Sequence, residues 1–226
     1  MDFSKRNKKV ALARWKKVLS KEKENISEGR KSLVAKAAIC GFLAGDGSVQ
    51  KRKEKRFFHH QIDFFPDDKD MMHTYIELIK AVYNKEPSIK KNKNFYSVRI
   101  NSKTIFEDLN KHAKFGVKNW TLPKELFEAD EAKQNWLRAF FSAEAYVNKS
   151  SIKVQTVNKE GMKEISKALD SLGVSHNYYE YNSKNKSEYP VSIISILKKE
   201  SRIKYCNIIG FWHRKKSKAL KEALGL

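Results

Sequence analysis

Asp46 and Glu144 are the residues of this chain whose types and setting could do chemistry. Each ends a run with a small residue at every fourth position: Ala37, Gly41 and Gly45 lead to Asp46, and Ala139 and Ala143 lead to Glu144. The runs Ile39-Cys40-Gly41-Phe42-Leu43-Ala44-Gly45-Asp46-Gly47 and Leu137-Arg138-Ala139-Phe140-Phe141-Ser142-Ala143-Glu144-Ala145 align at a constant offset of 98 positions. Residues four apart share a helix face. Each run therefore reads as the end of an amphipathic helix, the first begun near Ser32, with one face almost bare of side chain. Two such faces can pack closely and set two carboxylates side by side. One stretch alone would be an ordinary helix end with a glycine cap and a solvated acid. The repeat singles the pair out.

The offset continues. Lys118 and Lys216 each lie 72 residues beyond their acid, and Leu122-Pro123-Lys124-Glu125-Leu126 has Leu220-Lys221-Glu222-Ala223-Leu224 at the same 98. The chain reads as a diverged tandem duplication. Its 226 residues suffice for one large domain or two halves of about 100 residues each.

A formal net charge of +21, from 47 Lys and Arg against 26 Asp and Glu, repels itself unless a polyanion neutralises it. Nucleic acid is the partner such a balance predicts. No long apolar run or strongly hydrophobic basic helix supports a membrane role. With 13 Phe and 9 Tyr the chain can build a core and is not a disordered basic tail. Cys40 and Cys206 read as core residues of an intracellular protein, in cytoplasm, nucleoid or organelle matrix. The six His form no zinc spacing.

In chain order, residues 1–30 read as a basic arm or short amphipathic helix (Leu12, Trp15, Val18, Leu19) laid against phosphates. Residues 31–116 form a first half, 117–130 a joint marked by Leu122-Pro123 and Glu128-Ala129-Asp130, and 131–226 a second half. Within the first half, Ser48 to Arg52 and Phe57 to Phe64 read as a hairpin about Lys53-Glu54-Lys55. Phe58, His60, Ile62 and Phe64 would meet a helix, leaving His59, Gln61 and Asp63 to a ligand. A helix opened by Pro66-Asp67-Asp68 runs to Tyr83. A second hairpin turns at Lys91-Asn92-Lys93-Asn94, with Tyr96, Val98 and Ile100 opposite Ser97, Arg99 and Asn101. A helix from Thr104 to Lys114 follows. The second half repeats the order, with strands at 146–157, 175–182 and 189–198, helices at Lys159–Leu172, Ser201–Gly210 and Lys216–Leu224, and a basic turn Asn182-Ser183-Lys184-Asn185-Lys186. The expected class is α+β: two pseudo-twofold related αββαββα halves, each with an antiparallel sheet.

With these motifs the chain resembles the LAGLIDADG homing endonucleases in their single-chain, two-motif form. Gly41 to Gly47 match the first motif well and Phe140 to Glu144 match the second fairly, and the order of elements extends the likeness over about 32–226. The resemblance implies motif helices at the interface between halves and sheets forming a saddle along the DNA major groove. It implies Asp46 and Glu144 as catalytic acids that bind Mg²⁺ or another divalent cation such as Mn²⁺, with Gly45 and Ala143 beside them in the metal site. Lys118, Lys216, Gln61 and Lys153 are the candidates for the basic and polar residues the family keeps near its active site. Hydrolysis of a phosphodiester must activate water and stabilise charge on phosphorus and on the leaving oxygen, and metal-bound carboxylates with a nearby lysine suit both tasks. Two acids on adjacent helix ends would serve the two strands of one duplex.

Ser48, Gln50, Arg52, His59, Gln61, Arg99, Lys153 and Gln155 carry polar tips suited to bases. Lys91, Lys93, Lys149, Lys184 and Lys186, in Lys- and Asn-rich turns, would grip phosphates. Ala145 stands where the family usually has Gly, so the turn after the second acid is expected to form without the residue that favours positive φ. Ala44 and Ser142 stand where the family name has an Asp. The expected protein is a monomeric, site-specific endonuclease making double-strand cuts in a DNA target. The ends of the chain favour intron encoding over an intein. The alternatives are an RNA maturase acting on intron RNA or a nuclease-inactive DNA-binding regulator on the same fold. A basic ribosomal-type RNA-binding protein would explain the charge but not the paired motifs.

Overall fold

The computed structural model describes residues 3–54, 57–127, 129–182 and 189–226, with the side chains of 3–9 left aside. Lys184 and Lys186, Lys55 of the first expected turn and Glu128 of the expected joint lie outside the described residues. A long helix α1 (Phe3–Glu24) leads into α2 (Arg30–Ala44), the hairpin β1 (Gly47–Glu54) and β2 (Phe57–Phe64), α3 (Lys69–Tyr83), β3 (Ser88–Lys91), β4 (Tyr96–Asn101) and α4 (Lys103–His112). After a 3-10 turn at Lys124–Leu126 the order recurs: α5 (Asp130–Glu144), β5 (Tyr146–Val147), β6 (Ile152–Thr156), α6 (Lys159–Ser171), β7 (Asn177–Tyr181), β8 (Val191–Ile196) and α7 (Lys199–Ile208). A last helix α8 (Arg214–Leu224) closes the chain. The sheets have the same strand order, β1-β2-β4-β3 and β5-β6-β8-β7, and every pairing is antiparallel. The class is therefore α+β in two like halves, as expected.

Local chemistry sets the element ends. The Asp68 carboxylate accepts the Asp70 and Met71 amides at 3.0 and 3.1 Å, capping α3, and Asn84 ends it in the left-handed region at φ 46°, which Asn tolerates better than most residues. Ser102 caps α4 and Asn158 caps α6, each accepting an orphan amide of the first turn. The sheets alternate as their pattern predicts. Ile62, Phe64, Val98 and Ile100 are buried on one side of the first sheet, and Ile152, Val154, Ile194 and Ile196 on one side of the second. His60 joins the inner side by packing on Phe106 of α4 with ring centroids 5.0 Å apart. Phe58, at the outer end of β2, is exposed instead, because the hairpin runs beyond the helices beneath it.

The α2–α5 seam lies at the centre of the fold. Ala37, Ile39, Cys40, Phe42 and Leu43 are buried, as are Trp136, Leu137, Ala139, Phe140 and Phe141. The small residues meet in register. A Cβ at Gly41 would collide with the Trp136 carbonyl oxygen and come within 2.9 Å of the Ala139 Cβ, and a Cβ at Gly45 would lie 2.6 Å from the Ala143 Cβ. Each residue thus faces its own repeat partner, as a pseudo-twofold axis through the seam requires.

Segments expected to be peripheral are tied in. Trp120, in the expected joint, is buried with its ring 4.9 Å from that of Phe140. Its carbonyl accepts the Asn158 amide at 2.7 Å. α1 is a full 22-residue helix, longer than the short one expected. Its Glu22 meets Lys85 and Ser102, both at 2.9 Å, which fixes its C-terminal end to the first half. A buried ion pair links Lys36 of α2 to Asp108 of α4 at 2.9 Å, and the Tyr83 hydroxyl donates to the same carboxylate. Among the described residues no helix is long and apolar enough to cross a membrane, and both cysteines are free.

Candidate active site

Asp46 leaves the end of α2 and Glu144 is the last residue of α5, so close packing of the two helices brings the acids to one end of the seam. A Cβ at Gly45, the residue before Asp46, would lie 3.3 Å from Glu144 Cγ and 3.7 Å from Oε1. Gly47 is needed for space. Its φ is not in the left-handed region, but a Cβ there would come 2.6 Å from the Leu43 carbonyl oxygen. Ala145 makes the turn after Glu144 without positive φ, as expected. With φ −76° and ψ 141° it is ordinary extended backbone, so the second acid needs no glycine after it.

One lysine serves this pair. Lys216, on the first turn of α8, donates from Nζ to the carbonyl oxygens of Ser142 and Ala143, both at 2.7 Å. These carbonyls belong to the C-terminal turn of α5, where the helix dipole favours a cation. Loss of water raises the Asp46 pKa, with Lys216 opposing it and Asp67 adding to it. Glu144 is pushed up to about 7, first by desolvation, then by the charge of Asp46, again against Lys216. The residue is open to solvent as a whole, which tempers the size of that shift. Its direction follows from two like charges at one seam. Burial lowers the Lys216 pKa, while Asp67, Asp46, Glu144 and Asp68 draw it back up.

The loop before α8 holds this lysine over the seam. The Trp212 amide donates to the buried Ser142 hydroxyl at 2.8 Å, and the Trp212 ring stacks on Phe42 of α2 with centroids 5.3 Å apart. Arg138 of α5 lies over the other side of the loop, with its guanidinium 5.3 Å from the Trp212 ring centre and its Nε donating to the Ile209 carbonyl. His213 is buried and caps α8, its Nδ1 accepting the Lys216 amide at 3.5 Å, while its Nε2 faces Asp67 of the first half at 3.4 Å. Asp67 and His213 are neighbours of Lys216 that motif spacing does not mark: in sequence Asp67 reads only as a helix-start acid and His213 as one of six histidines without zinc spacing.

Of the other expected catalytic residues, Lys153 pairs across the ladder with Tyr146, two positions beyond Glu144, and Gln61 with Gln50, four beyond Asp46. Lys118 sits in the loop after α4 with its Nζ 3.4 Å from the Tyr189 ring centre, and it is not among the charges acting on either acid. Its sequence equivalence to Lys216 is therefore not a structural one: Lys118 is in a loop, Lys216 in a helix. Gln61 donates from its amide to the buried Asp63, which Arg99 Nε also reaches, at 2.7 Å. Lys153 stands half-exposed on β6 between Tyr146 and Ser195. The Ala143 carbonyl, expected at the metal, is engaged by Lys216, and among the described residues no three His, Cys, Asp or Glu side chains converge.

The expected base-reading residues share the sheet face turned away from the helices. Ser48 pairs across the ladder with Asp63, Gln50 with Gln61 and Arg52 with His59. Gln50 donates to Ser48 at 2.6 Å and Arg52 to Gln50 at 2.8 Å, which makes one polar line along β1. Arg99 extends this face on β4, and Gln155 stands exposed on the corresponding face of β6. Lys91, Lys93 and Lys149 are exposed at or beside the turns.

A family profile described as "LAGLIDADG-like domain" matches residues 131–210, the half with the weaker motif. The fold matches the homing endonuclease I-DmoI with a TM-score of 0.65 at 16% identity, covering 79% of this chain and 96% of that one. Residues 131–210 are a LAGLIDADG-like domain, and the chain as a whole has the two-motif LAGLIDADG fold. An I-DmoI structure in complex with DNA and Mn matches at TM-score 0.62, 17% identity, 79% of this chain and 97% of that one. The same two-motif LAGLIDADG fold also matches full-length DUF199/WhiA of Thermatoga maritima, at TM-score 0.54 and 13% identity over 92% of this chain and 64% of that one. Curated relatives include the DNA polymerases of Thermococcus aggregans, 24% identical over 97% of this chain, and of Thermococcus kodakarensis, 26% identical over 89%. The replication factor C small subunit of Methanocaldococcus jannaschii is 27% identical over 83%. The chain spans only 12% of the length of either polymerase and 10% of the replication factor.

Proposed function

We propose that this LAGLIDADG protein is a site-specific DNA endonuclease that hydrolyses a phosphodiester in each strand with divalent metal. The observation that carries this reading is the meeting of Asp46 and Glu144 at the end of the α2–α5 seam, with Lys216 fixed beside them. The site's charge fits a divalent cation. Two crowded carboxylates face one ammonium, and Glu144 holds its proton up to about pH 7, so an added cation would relieve the repulsion. Since no third acid or His converges among the described residues, water and phosphate oxygens would complete the coordination, as Mg²⁺ accepts. When bound, the metal supplies Lewis-acid stabilisation and a more acidic water. Asp46 and Glu144 hold it at the seam, Lys216 offsets negative charge developing on the phosphate, and the two polar sheet faces position the duplex. The structures of I-DmoI with target DNA and Mn or Ca support both partners.

The relatives support a self-contained module. Matches of comparable length occur in DNA polymerases, a replication factor, an aminotransferase and an ATP synthase subunit, taking 10 to 20% of each. The names of these proteins point to no single common activity, which favours a segment with an activity of its own. Carriage within a protein reading frame is favoured over intron encoding on the same ground.

The test is cleavage of duplexes selected for binding from a random library. Wild type with Mg²⁺ should cut both strands, and Asp46→Asn or Glu144→Gln should bind the same duplex but lose cleavage of at least one strand. Binding with no cleavage under any divalent metal would leave a DNA-binding protein on this fold.

A further inference from the structure

The two sheets share one strand order but present different chemistry on their outward faces. On the first sheet that face is amide, guanidinium and imidazole: Gln50 opposite Gln61, Arg52 opposite His59, and Arg99 opposite Asp63. Phe57, at its outer tip, is the exception. On the second sheet the same face sets exposed tyrosines among Lys153 and Gln155, and its Ile193 is only 6% exposed. Tyr146 stands beside Lys153, Tyr179 beside Ile193, and Tyr181 beside Val191. Tyr146, Tyr179 and Tyr181 are 65, 44 and 55% exposed, so their rings reach outward from the sheet. The core of the second half does not use them. It is built from the opposite side of the strands, by Ile152, Val154, Ile194 and Ile196.

Groups of these two kinds recognise different features of a major groove. Amides and guanidinium groups pair with N7, O6 and N6 of purines, whereas apolar side chains find one partner there, the C5-methyl of thymine. We propose that the target's two halves are read by different chemistry: purine edges by hydrogen bonds on the first sheet, thymine methyl groups by Tyr179 and Tyr181 on the second. The proposal rests on the DNA-binding reading above and names the base class each half selects. Duplex DNA is favoured over unpaired RNA as the occupant because the rings share their face with Lys153 and Gln155, polar side chains that pair with base edges in a groove but give no plane for a base to stack on. Lys153 and Gln155, interleaved on this face, supply the few polar contacts that hold register.

The experiment uses the whole chain and duplexes it retains from a random library. Deoxyuridine replaces thymidine one half-site at a time, and 7-deazapurines replace purines in the same way. Uracil substitution should weaken binding in one half only, by about fourfold for each methyl removed from a contact. The Tyr179→Ser, Tyr181→Ser double variant should become indifferent to uracil in that half. Deazapurines should weaken the other half, and Gln50→Ala with Arg52→Ala should abolish that sensitivity. A retained duplex that binds equally well with uracil in either half overturns this inference and leaves the endonuclease reading standing. Failure to retain any duplex overturns both. Tighter binding of single-stranded RNA than of any duplex, lost in the tyrosine variant, overturns the inference in favour of base stacking.

Discussion

Lys216 Nζ lies 2.7 Å from the carbonyl oxygen of Ala143, the residue before Glu144. The cation facing both acids is therefore held by the helix that carries one of them, and its geometry does not depend on salt bridges to the acids. Lys216→Met should leave the fold and DNA affinity largely intact and slow cleavage on the order of 10²-fold, the usual cost of losing one fixed electrostatic group. Because Lys216 lowers the Glu144 pKa, the pH–rate profile should also move to higher pH. A rate loss with an unmoved profile would place Lys216 outside the electrostatics of the acids.

Glu144 titrates near 7 rather than at its usual 4.5, and the sign of the consequence is fixed. The folded state holds this proton more tightly than the unfolded chain, so between about 4.5 and 7 it binds more protons and stability falls as pH rises. The penalty is absent below that window and fully present above it. Thermal melts should therefore show Glu144→Gln raising Tm relative to wild type at pH 8 and not at pH 4. Mg²⁺ should raise the wild-type Tm more at pH 8 than at pH 5, because the metal binds the ionised carboxylates. Cleavage should climb through pH 7. Equal Mg²⁺ effects at both pH values would mean that the cation binds away from this pair.

How much of this was legible follows from the range of each signal. Gly41 with Ala139 and Gly45 with Ala143 recorded the seam because a helix face is written in local spacing, and the duplication wrote it twice. The strand faces are legible for the same reason: alternation assigns Ile62 and Phe64 inward, and Gln61 outward. His213 and Asp67 are not, since their contact joins the start of α8 to the start of α3 and no periodicity within either segment encodes it. Lys118 and Lys216 stand in different elements, a loop and a helix, because equal offsets in a diverged repeat do not guarantee equal structure. At Gly47 the requirement is space beside Leu43 and not positive φ, so an alanine can stand at the equivalent position 145.

Affinity should be steeply salt-dependent, given a net charge of +21. The logarithm of the binding constant should fall by about 0.9 for each phosphate neutralised per decade of salt. Lys91→Ala, Lys93→Ala and Lys149→Ala, in exposed positions, should each reduce that slope by about one and weaken all sequences alike. Gln50→Ala should instead change which sequences are preferred. Titrations of selected and scrambled duplexes across salt separate the two behaviours. A lysine variant that weakens only the selected duplex would belong to base recognition.

The seam itself can be tested by moving one methyl group across it. A Cβ at Gly45 would sit 2.6 Å from the Cβ of Ala143, so Gly45→Ala overpacks a contact between helices that cannot separate without opening the core. Such overpacking costs about 1–3 kcal/mol. Ala143→Gly removes the obstructing methyl at a helix-propensity cost of at most about 1 kcal/mol. Since the residues are partners about a pseudo-twofold axis, the double variant carries the same pair of groups with sides exchanged and should recover most of the lost stability. Denaturant unfolding should give a coupling energy of at least about 1 kcal/mol, well beyond the few tenths seen for independent sites. Cleavage should recover with stability, because the seam sets the spacing of Asp46 and Glu144. Additive losses in the double variant would mean that α2 and α5 do not meet at these residues, and the two acids would then lack the contact that brings them together.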